Sequence, residues 1–253
     1  MSTPSSLNDM AVITLDEMSH IRLMDRIDTK YVANVALLPK ILSLMQAKFK
    51  VQIIGDKRIA NYATQYFDTK ALDFLKMHQN GKLNRQKIRI RSYIDSRLAF
   101  LEIKNKNNKG RTSKKRIPSP VSHVETIDGL ADGLKFLDDN SLFPTTMLEP
   151  VLENNFQRMT FVNRKATERI TIDTGLSFFN CVTQEKTTLN DAMILELKQD
   201  GWQRSDFAEI LRELRIKRSS FSKYCIGMVL TNPGCKYNRF KRKIQLINKL
   251  LQK

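Results

Sequence analysis

The segment Arg85-Gln86-Lys87-Ile88-Arg89-Ile90-Arg91 sets four cations at a strict two-residue spacing. On a β-strand that spacing puts Arg85, Lys87, Arg89 and Arg91 on one face and Ile88 and Ile90 on the other. Four like charges at successive same-face positions repel one another and need a compensating anion. The next segment, Phe100 to Lys106, repeats the arrangement, with Glu102, Lys104 and Lys106 on one side and Leu101 and Ile103 opposite. In Arg26-Ile27-Asp28-Thr29-Lys30-Tyr31 the charged residues Arg26, Asp28 and Lys30 share a face, and Glu196 and Lys198 do so within Ala192 to Lys198. Arginine forks bind phosphate oxygens two at a time and keep their charge at any physiological pH.

Composition narrows the ligand class without choosing within it. There are 43 Lys+Arg against 26 Asp+Glu, a formal charge of +17, which calls for a polyanionic partner. Nucleic acid, an anionic membrane surface and a phosphate chain all qualify. Hydrophobic content of 41% and 253 residues suit one large soluble domain with a sizeable core. Cys181, Cys225 and Cys235 are scattered and form no CxxC pair, which argues for a reducing compartment and against a structural zinc. His20, His78 and His123 have neither metal-ligand spacing nor a partnered nucleophile. Tyr31, Tyr66, Phe67 and Tyr93 read as core or lining residues, and Trp202 as a packing residue. The first residues, MSTPSSLNDM, carry no leader pattern, and no apolar run reaches membrane-spanning length. The expected location is the cytoplasm, where a membrane-protein partner could hold the chain at the inner face. The basic segment Lys236 to Lys243 would serve that attachment, or simply form a solvated helix face.

The elements that must position these cations follow from pattern. Residues 1–10 read as disordered and 11–253 as one domain. Helices fit 12–20, 36–48, 123–139, 203–215 and 238–251. Strands fit 24–31, 50–54, 59–67, 85–91, 100–106, 145–163, 168–173 and 192–198. The basic run Lys109 to Arg116 leads into Ile117-Pro118-Ser119-Pro120, read as a connector. An open sheet could turn its charged faces to water. The repetition of like charge favours a closed sheet with a charged inside and helices outside. The expected fold is therefore α+β, a closed eight-stranded antiparallel β-tunnel with helices packed on its exterior.

The ordered set Arg26-Ile-Asp-Thr-Lys30-Tyr31, Tyr66-Phe-Asp-Thr69, Lys87-Ile-Arg89-Ile-Arg91, Phe100-Leu-Glu102-Ile-Lys104, Asn155-Phe-Gln-Arg158, Arg169-Ile-Thr-Ile-Asp173, Leu195-Glu196-Leu-Lys198 and Ser220-Phe-Ser222-Lys223-Tyr224 resembles the VTC domain. That domain is the polyphosphate polymerase branch of the triphosphate tunnel metalloenzymes, the CYTH-like superfamily. The resemblance implies an eight-stranded tunnel that binds triphosphate through Lys and Arg and a metal through carboxylates. Carried over by position, it implies phosphate ligands at Lys30, Arg89, Arg91, Lys104, Arg158, Lys198, Ser222 and Lys223, with Lys114 or Arg116 contributing. Catalytic roles fall on Lys30, Arg89, Arg91, Arg158 and Lys223. Glu196 is the implied ligand for Mn²⁺ or Mg²⁺, with Glu102 as second carboxylate. The superfamily opens on ExExK, whereas this chain has Arg26-Ile-Asp28-Thr-Lys30. The lost glutamate favours the polymerase branch over the hydrolases and leaves Asp28 without an assigned role.

What the resemblance implies is transfer of the terminal phosphoryl group of ATP to a polyphosphate chain, with ATP and polyphosphate as partners and no nucleic acid. The attacking terminal phosphate oxygen is already ionised, so transfer needs no general base, while hydrolysis needs an oriented water. Two alternatives stand beside this reading: a metal-dependent triphosphatase, and a non-catalytic phosphate or inositol-phosphate sensor. Nothing in the sequence sets an oligomeric state.

Overall fold

A computed structural model describes residues 5–21, 23, 26–109, 111–130 and 133–251. Its strands are β1 (Val12–Ile13), β2 (Arg26–Asn34), β3 (Phe49–Gln52), β4 (Ala60–Thr69), β5 (Arg85–Tyr93), β6 (Leu98–Lys106), β7 (Thr112–Pro118), β8 (Leu148–Asn163), β9 (Glu168–Asn180), β10 (Lys186–Leu189) and β11 (Ala192–Asp200). The helices are α1 (Ser5–Asn8), α2 (Leu15–Ser19), α3 (Leu38–Met45), α4 (Asp73–Gln79), α5 (Gly133–Asp138), α6 (Asp206–Glu213), α7 (Lys223–Thr231) and α8 (Lys241–Leu251). No described helix is long and apolar enough to cross a membrane.

Eight strands form one antiparallel path in the order β2-β11-β9-β8-β4-β5-β6-β7. The sheet curls so far that Lys30 on the first strand of this path and Lys104 on the seventh line one cleft. Register shifts at Tyr66/Phe67 and at Asn155/Gln157 bend the long central strands. The expected closed tunnel is corrected to an open half-barrel, because β2 and β7 do not pair. The free edge of β2 is taken instead by the segment before α7: Tyr31 bridges Arg218, and Ser219 N donates to Lys30 O at 2.8 Å. Strand β7, exposed at almost every residue, ends the path on the other side.

Alternation sorts the two faces as the sequence suggests. On β5 the burial strictly alternates, with Gln86, Ile88, Ile90 and Ser92 buried on the convex side. There Ile88, Ile90, Leu101 and Ile103 pack against Phe74 of α4, Leu137 of α5 and the turn around Ile127–Leu130. Farther along the convex face, Tyr31, Ile172, Leu195 and Phe161 pack against Ile41 and Met45 of α3 and Phe207 and Leu211 of α6.

Not all helices lie outside, which is a second correction. Val32, Ile194, Tyr66 and Phe156 share the concave face with the cations, and they pack against Tyr224, Cys225 and Met228 of α7 and Ile247 of α8. Glycine permits the close approach: a Cβ on Gly227 would lie 2.5 Å from Phe178 Cδ1 and 2.7 Å from Leu152 Cδ2. Helices α7 and α8 therefore fill the apolar half of the concave face and leave the charged half open. At the N-terminus, residues 1–4 lie outside the described residues. Where disorder was expected through residue 10, α1 forms, and Leu7 and Met10 are fully buried.

Candidate active site

The charged half of the concave face is built row by row from strand register. Lys87 lies opposite Lys104, Arg89 opposite Glu102, and Lys104 opposite Lys114. On the far wall, Lys30 lies opposite Glu196, Asp28 opposite Lys198, and Arg158 opposite Asp173. Helix α7 brings in the last two groups, Ser222 as its N-cap and Lys223 as its first residue.

Three carboxylates organise these cations. Glu102, only 1% exposed, accepts from Arg89 Nε and Nη2 at 2.9 and 2.7 Å through one oxygen and from Lys114 Nζ at 2.7 Å through the other. Burial alone would raise its carboxyl; Arg89, Arg91 and Lys114 outweigh it and hold it at about 2. Asp173 accepts a bidentate pair from Arg158 at 2.6 and 2.7 Å and a further bond from Lys223 Nζ. Arg158 also lies over the rings of Tyr62 and Phe156, at 5.1 and 5.2 Å, and Lys223 lies 4.2 Å from the Phe156 centroid. Glu196 meets Lys198 at 3.0 Å and Lys30 at 3.9 Å. Burial opposes its ionisation, but Lys198, Lys30 and Arg158 keep it well below the usual carboxylate range.

Other cations have no such partner. Among the described residues, Lys87, Arg91 and Lys104 have no carboxylate within ion-pair distance. Burial, with Lys30, Lys104 and Arg89 nearby, pushes Lys87 down to about 8, and its Nζ donates to Ser222 Oγ at 3.0 Å. Burial together with Arg89 and Lys30 brings Lys104 to about 8 as well. Arg91 is lowered by burial and by the neighbouring Arg89 and Arg158, and its Nε is buried with no hydrogen-bond partner. Half-buried cations without carboxylate partners are costly, so this arrangement is one that an anion would relieve.

The model of the VTC domain family matches residues 25–232. The chain belongs to the VTC domain family. No curated protein matches it. Among solved structures, this VTC domain is similar to a putative adenylate cyclase from Vibrio parahaemolyticus (TM-score 0.47, 12% identity, covering 81% of this chain and 99% of that one). It is also similar to one from Bacillus halodurans (TM-score 0.46, 14% identity, 79% and 96%). A third is a putative adenylyl cyclase from Hippeastrum, described as having a dominant triphosphatase activity (TM-score 0.49, 13% identity, 81% and 95%).

The VTC domain brings most of the residues singled out from the sequence onto one face. Lys30, Arg89, Lys104, Lys114, Arg158, Lys198 and Lys223 are linked by shared carboxylates or lie along the same rows. Arg116, opposite Glu102 on β7, places its guanidinium 4.5 Å above the Phe100 ring. The two carboxylates chosen as metal ligands differ in availability. Both Glu102 oxygens are engaged by cations in a site closed to solvent, which suits a carboxylate that positions Arg89 and Lys114. Glu196, 17% exposed and held ionised, has the oxygen chemistry a hard divalent cation requires. The described residues contain no cluster of three or more metal-ligating side chains, so a metal here would draw its remaining ligands from phosphate oxygens and water. Sequence reasoning missed two members of the site. Asp173 was legible only as the end of a strand, and Lys87 stood in the cation row beside Arg89 and Arg91 but was given no ligand role, because spacing alone does not say which cations of a row meet the anion.

Proposed function

We propose that this VTC domain binds the triphosphate of ATP across its concave face and transfers the terminal phosphoryl group to a polyphosphate chain, with a divalent metal. The observation that carries the proposal is the set of half-buried cations, Lys87, Arg91 and Lys104, left without carboxylate partners beside a framework in which three carboxylates already answer six cations. In this reading Arg89 and Arg158 are pre-oriented by Glu102 and Asp173, so their forks meet phosphate oxygens with little reorganisation. Lys223 and Lys30 reach the same anion from α7 and β2. Glu196 would hold the metal, which when bound neutralises charge on the phosphate oxygens.

Transfer is favoured over hydrolysis by the state of the carboxylates. Glu102 and Asp173 are engaged by cations through both oxygens, and Glu196 is held ionised between two lysines. None is placed as an unencumbered base for water, and a terminal phosphate nucleophile requires none. The closed tunnel belongs to this proposal too: an anion bound between β7 and β2 would draw the open sides together. Incubating the purified domain with ATP and Mn²⁺ or Mg²⁺ and resolving the products tests the reading. ADP with long phosphate chains is expected; ADP with orthophosphate alone would assign a triphosphatase, and binding without turnover a sensor.

A further inference from the structure

A second cavity lies apart from the cations. It measures about 630 Å³, within the usual range for a small-molecule pocket, and it shares no lining residue with the lysine-lined cleft of the concave face. Its walls come from element ends that meet at one end of the sheet: Leu72 just before α4, Ile127 in the turn before α5, Leu148 and Pro150 at the start of β8, and Met228 in α7. Ile127, Leu148 and Met228 are buried, whereas Val182, in the turn after β9, is 60% exposed.

The sign of the charge reverses here. In a chain of formal charge +17, the lining holds two carboxylates, Glu125 and Glu149, against one lysine, Lys70. Among the described residues neither carboxylate has a cation within ion-pair distance. Two further observations point the same way. Helix α7 ends at the cavity, with Asn232 as its C-cap, and the C-terminal end of a helix favours a positive charge. Burial and the nearby Glu153 push the Cys181 thiol in the lining up to about 12, so it adds no anion of its own but reports a negative surrounding. Carboxylates beside apolar walls suit a ligand whose cationic ends are joined by an apolar spacer. A bare metal ion does not fit, because the described residues contain no cluster of three or more metal-ligating side chains. A quaternary ammonium is held by aromatic faces, and no aromatic residue lines this cavity. Primary ammonium groups, by contrast, donate directly to carboxylates.

We propose that this cavity binds a linear aliphatic diamine or polyamine, whose ammonium groups pair with Glu125 and Glu149 while the methylene spacer lies against Leu72, Leu148 and Met228. None of the residues assigned to phosphate takes part, so the proposal stands independently of the transferase reading.

Calorimetry without any phosphate ligand measures the binding of cadaverine and of spermidine to the full chain and to Glu125→Gln, Glu149→Gln and Val182→Lys. Glu125 and Val182 are exposed and Glu149 is half-buried outside the ion-pair framework, so the variants retain the fold, as their melting temperatures check. Cadaverine affinity should fall about tenfold in each glutamine variant, the value of one charged hydrogen bond. It should vanish in Val182→Lys, whose own ammonium takes the ligand's place. Pentylamine, with the same spacer and a single ammonium, should bind about tenfold more weakly than cadaverine. Bound cadaverine should also slow alkylation of Cys181 by a maleimide and leave Cys235, which does not line the cavity, unaffected. No binding to the unaltered protein, or equal affinity in both glutamine variants, would overturn the proposal. So would displacement of cadaverine by Mg²⁺, which would make the carboxylates a metal site, or tighter binding of a lysine-containing peptide than of either amine, which would assign the cavity to a protein partner.

Discussion

Arg91 and Arg158 are two strands apart on one face, and their surroundings give them opposite effects on stability. Arg158 is answered by Asp173 and by two aromatic rings, whereas Arg91 faces Arg89 and Arg158 with no carboxylate of its own. Removing the cation that lacks a partner relieves repulsion. Arg91→Gln should therefore leave the melting temperature of the ligand-free protein unchanged or higher, while tripolyphosphate affinity falls about 100-fold, the value of one bidentate charged contact of roughly 3 kcal/mol. Asp173→Asn does the reverse, stranding Arg158 and Lys223 in a buried site at a cost of about 3 to 5 kcal/mol, read as a fall of roughly 10 °C in melting temperature. Equal melting shifts for the two variants would show that the face is not divided into paired and unpaired cations. The lysines make a further prediction with pH. Lys87 and Lys104 lose their protons near 8 in the folded chain and near 10.5 when unfolded. Above pH 8 the unfolded state thus binds more protons, and stability without ligand rises with pH. The window closes near 9, where cysteines begin to ionise in the unfolded chain while burial holds Cys181 up to about 12. Over the same interval affinity for tripolyphosphate should fall, because the ammonium form binds it. Melting curves at pH 8 and 9 with and without the anion measure both trends, and Lys87→Met should reduce both, with Lys104 and Lys223, also lowered to about 8, supplying the remainder.

Among the elements, α7 bears most directly on the site, because it carries Ser222 and Lys223 yet is anchored by groups that never touch the anion. Asp68, fully buried, accepts from Phe74 N and Leu75 N at 2.9 Å each and from Tyr224 OH, tying α7 to the start of α4. Gly227 sets the height of the helix above β8 and β9. Gly227→Ala would push α7 off the sheet against Phe178 and Leu152, an overpacking cost of about 1 to 3 kcal/mol. It should also weaken tripolyphosphate binding through Lys223, one helical turn earlier, although residue 227 itself packs against the sheet and not against the cations. Unaltered binding in a destabilised Gly227→Ala variant would mean that Lys223 is positioned by Asp173 alone. The sequence hides α7 for a physical reason: Tyr224 to Met228 are buried all round, so no amphipathic period marks the helix. Strand β7 was hidden in the opposite way, since Thr112 to Arg116 are exposed on both faces and read only as a basic run leading into a connector at 117–120. The expected helix over 123–139 resolves into a turn at Ile127–Leu130 and α5, with residues 131–132 outside the described residues. By contrast β2, β5, β6 and β11 were legible because one face is apolar and the other charged, and alternation is the only arrangement that satisfies both. The ion-pair framework was legible only in part, since the partner of Arg158 is chosen by strand register, which no local pattern encodes.

At the scale of the whole molecule, the gap between β2 and β7 joins the two remaining questions, how an open sheet holds a multivalent anion and what the anion does to the sheet. Lys114 and Arg116 hang from the last strand of the path, Lys30 from the first, and Glu102 is the anchor of Lys114. An anion bridging these side chains links edges that no backbone pairing connects. At a ligand concentration 100 times its Kd, binding adds about 2.7 kcal/mol of stability, and most of the new constraint should fall where the unliganded fold is least constrained. The test is hydrogen exchange across Thr112–Pro118, whose outward amides have no strand partner beyond β6. Those amides should exchange rapidly without ligand and slow by at least tenfold in saturating tripolyphosphate, whereas the β8–β9 ladder, paired on both sides, should change little. Slowing confined to β8, β9 and α7, with β7 unaffected, would place the anion wholly on the far wall and remove β7 from the site. Slowing in β7 that is lost on Lys114→Ala while binding persists would identify that lysine as the link by which phosphate draws the two edges together.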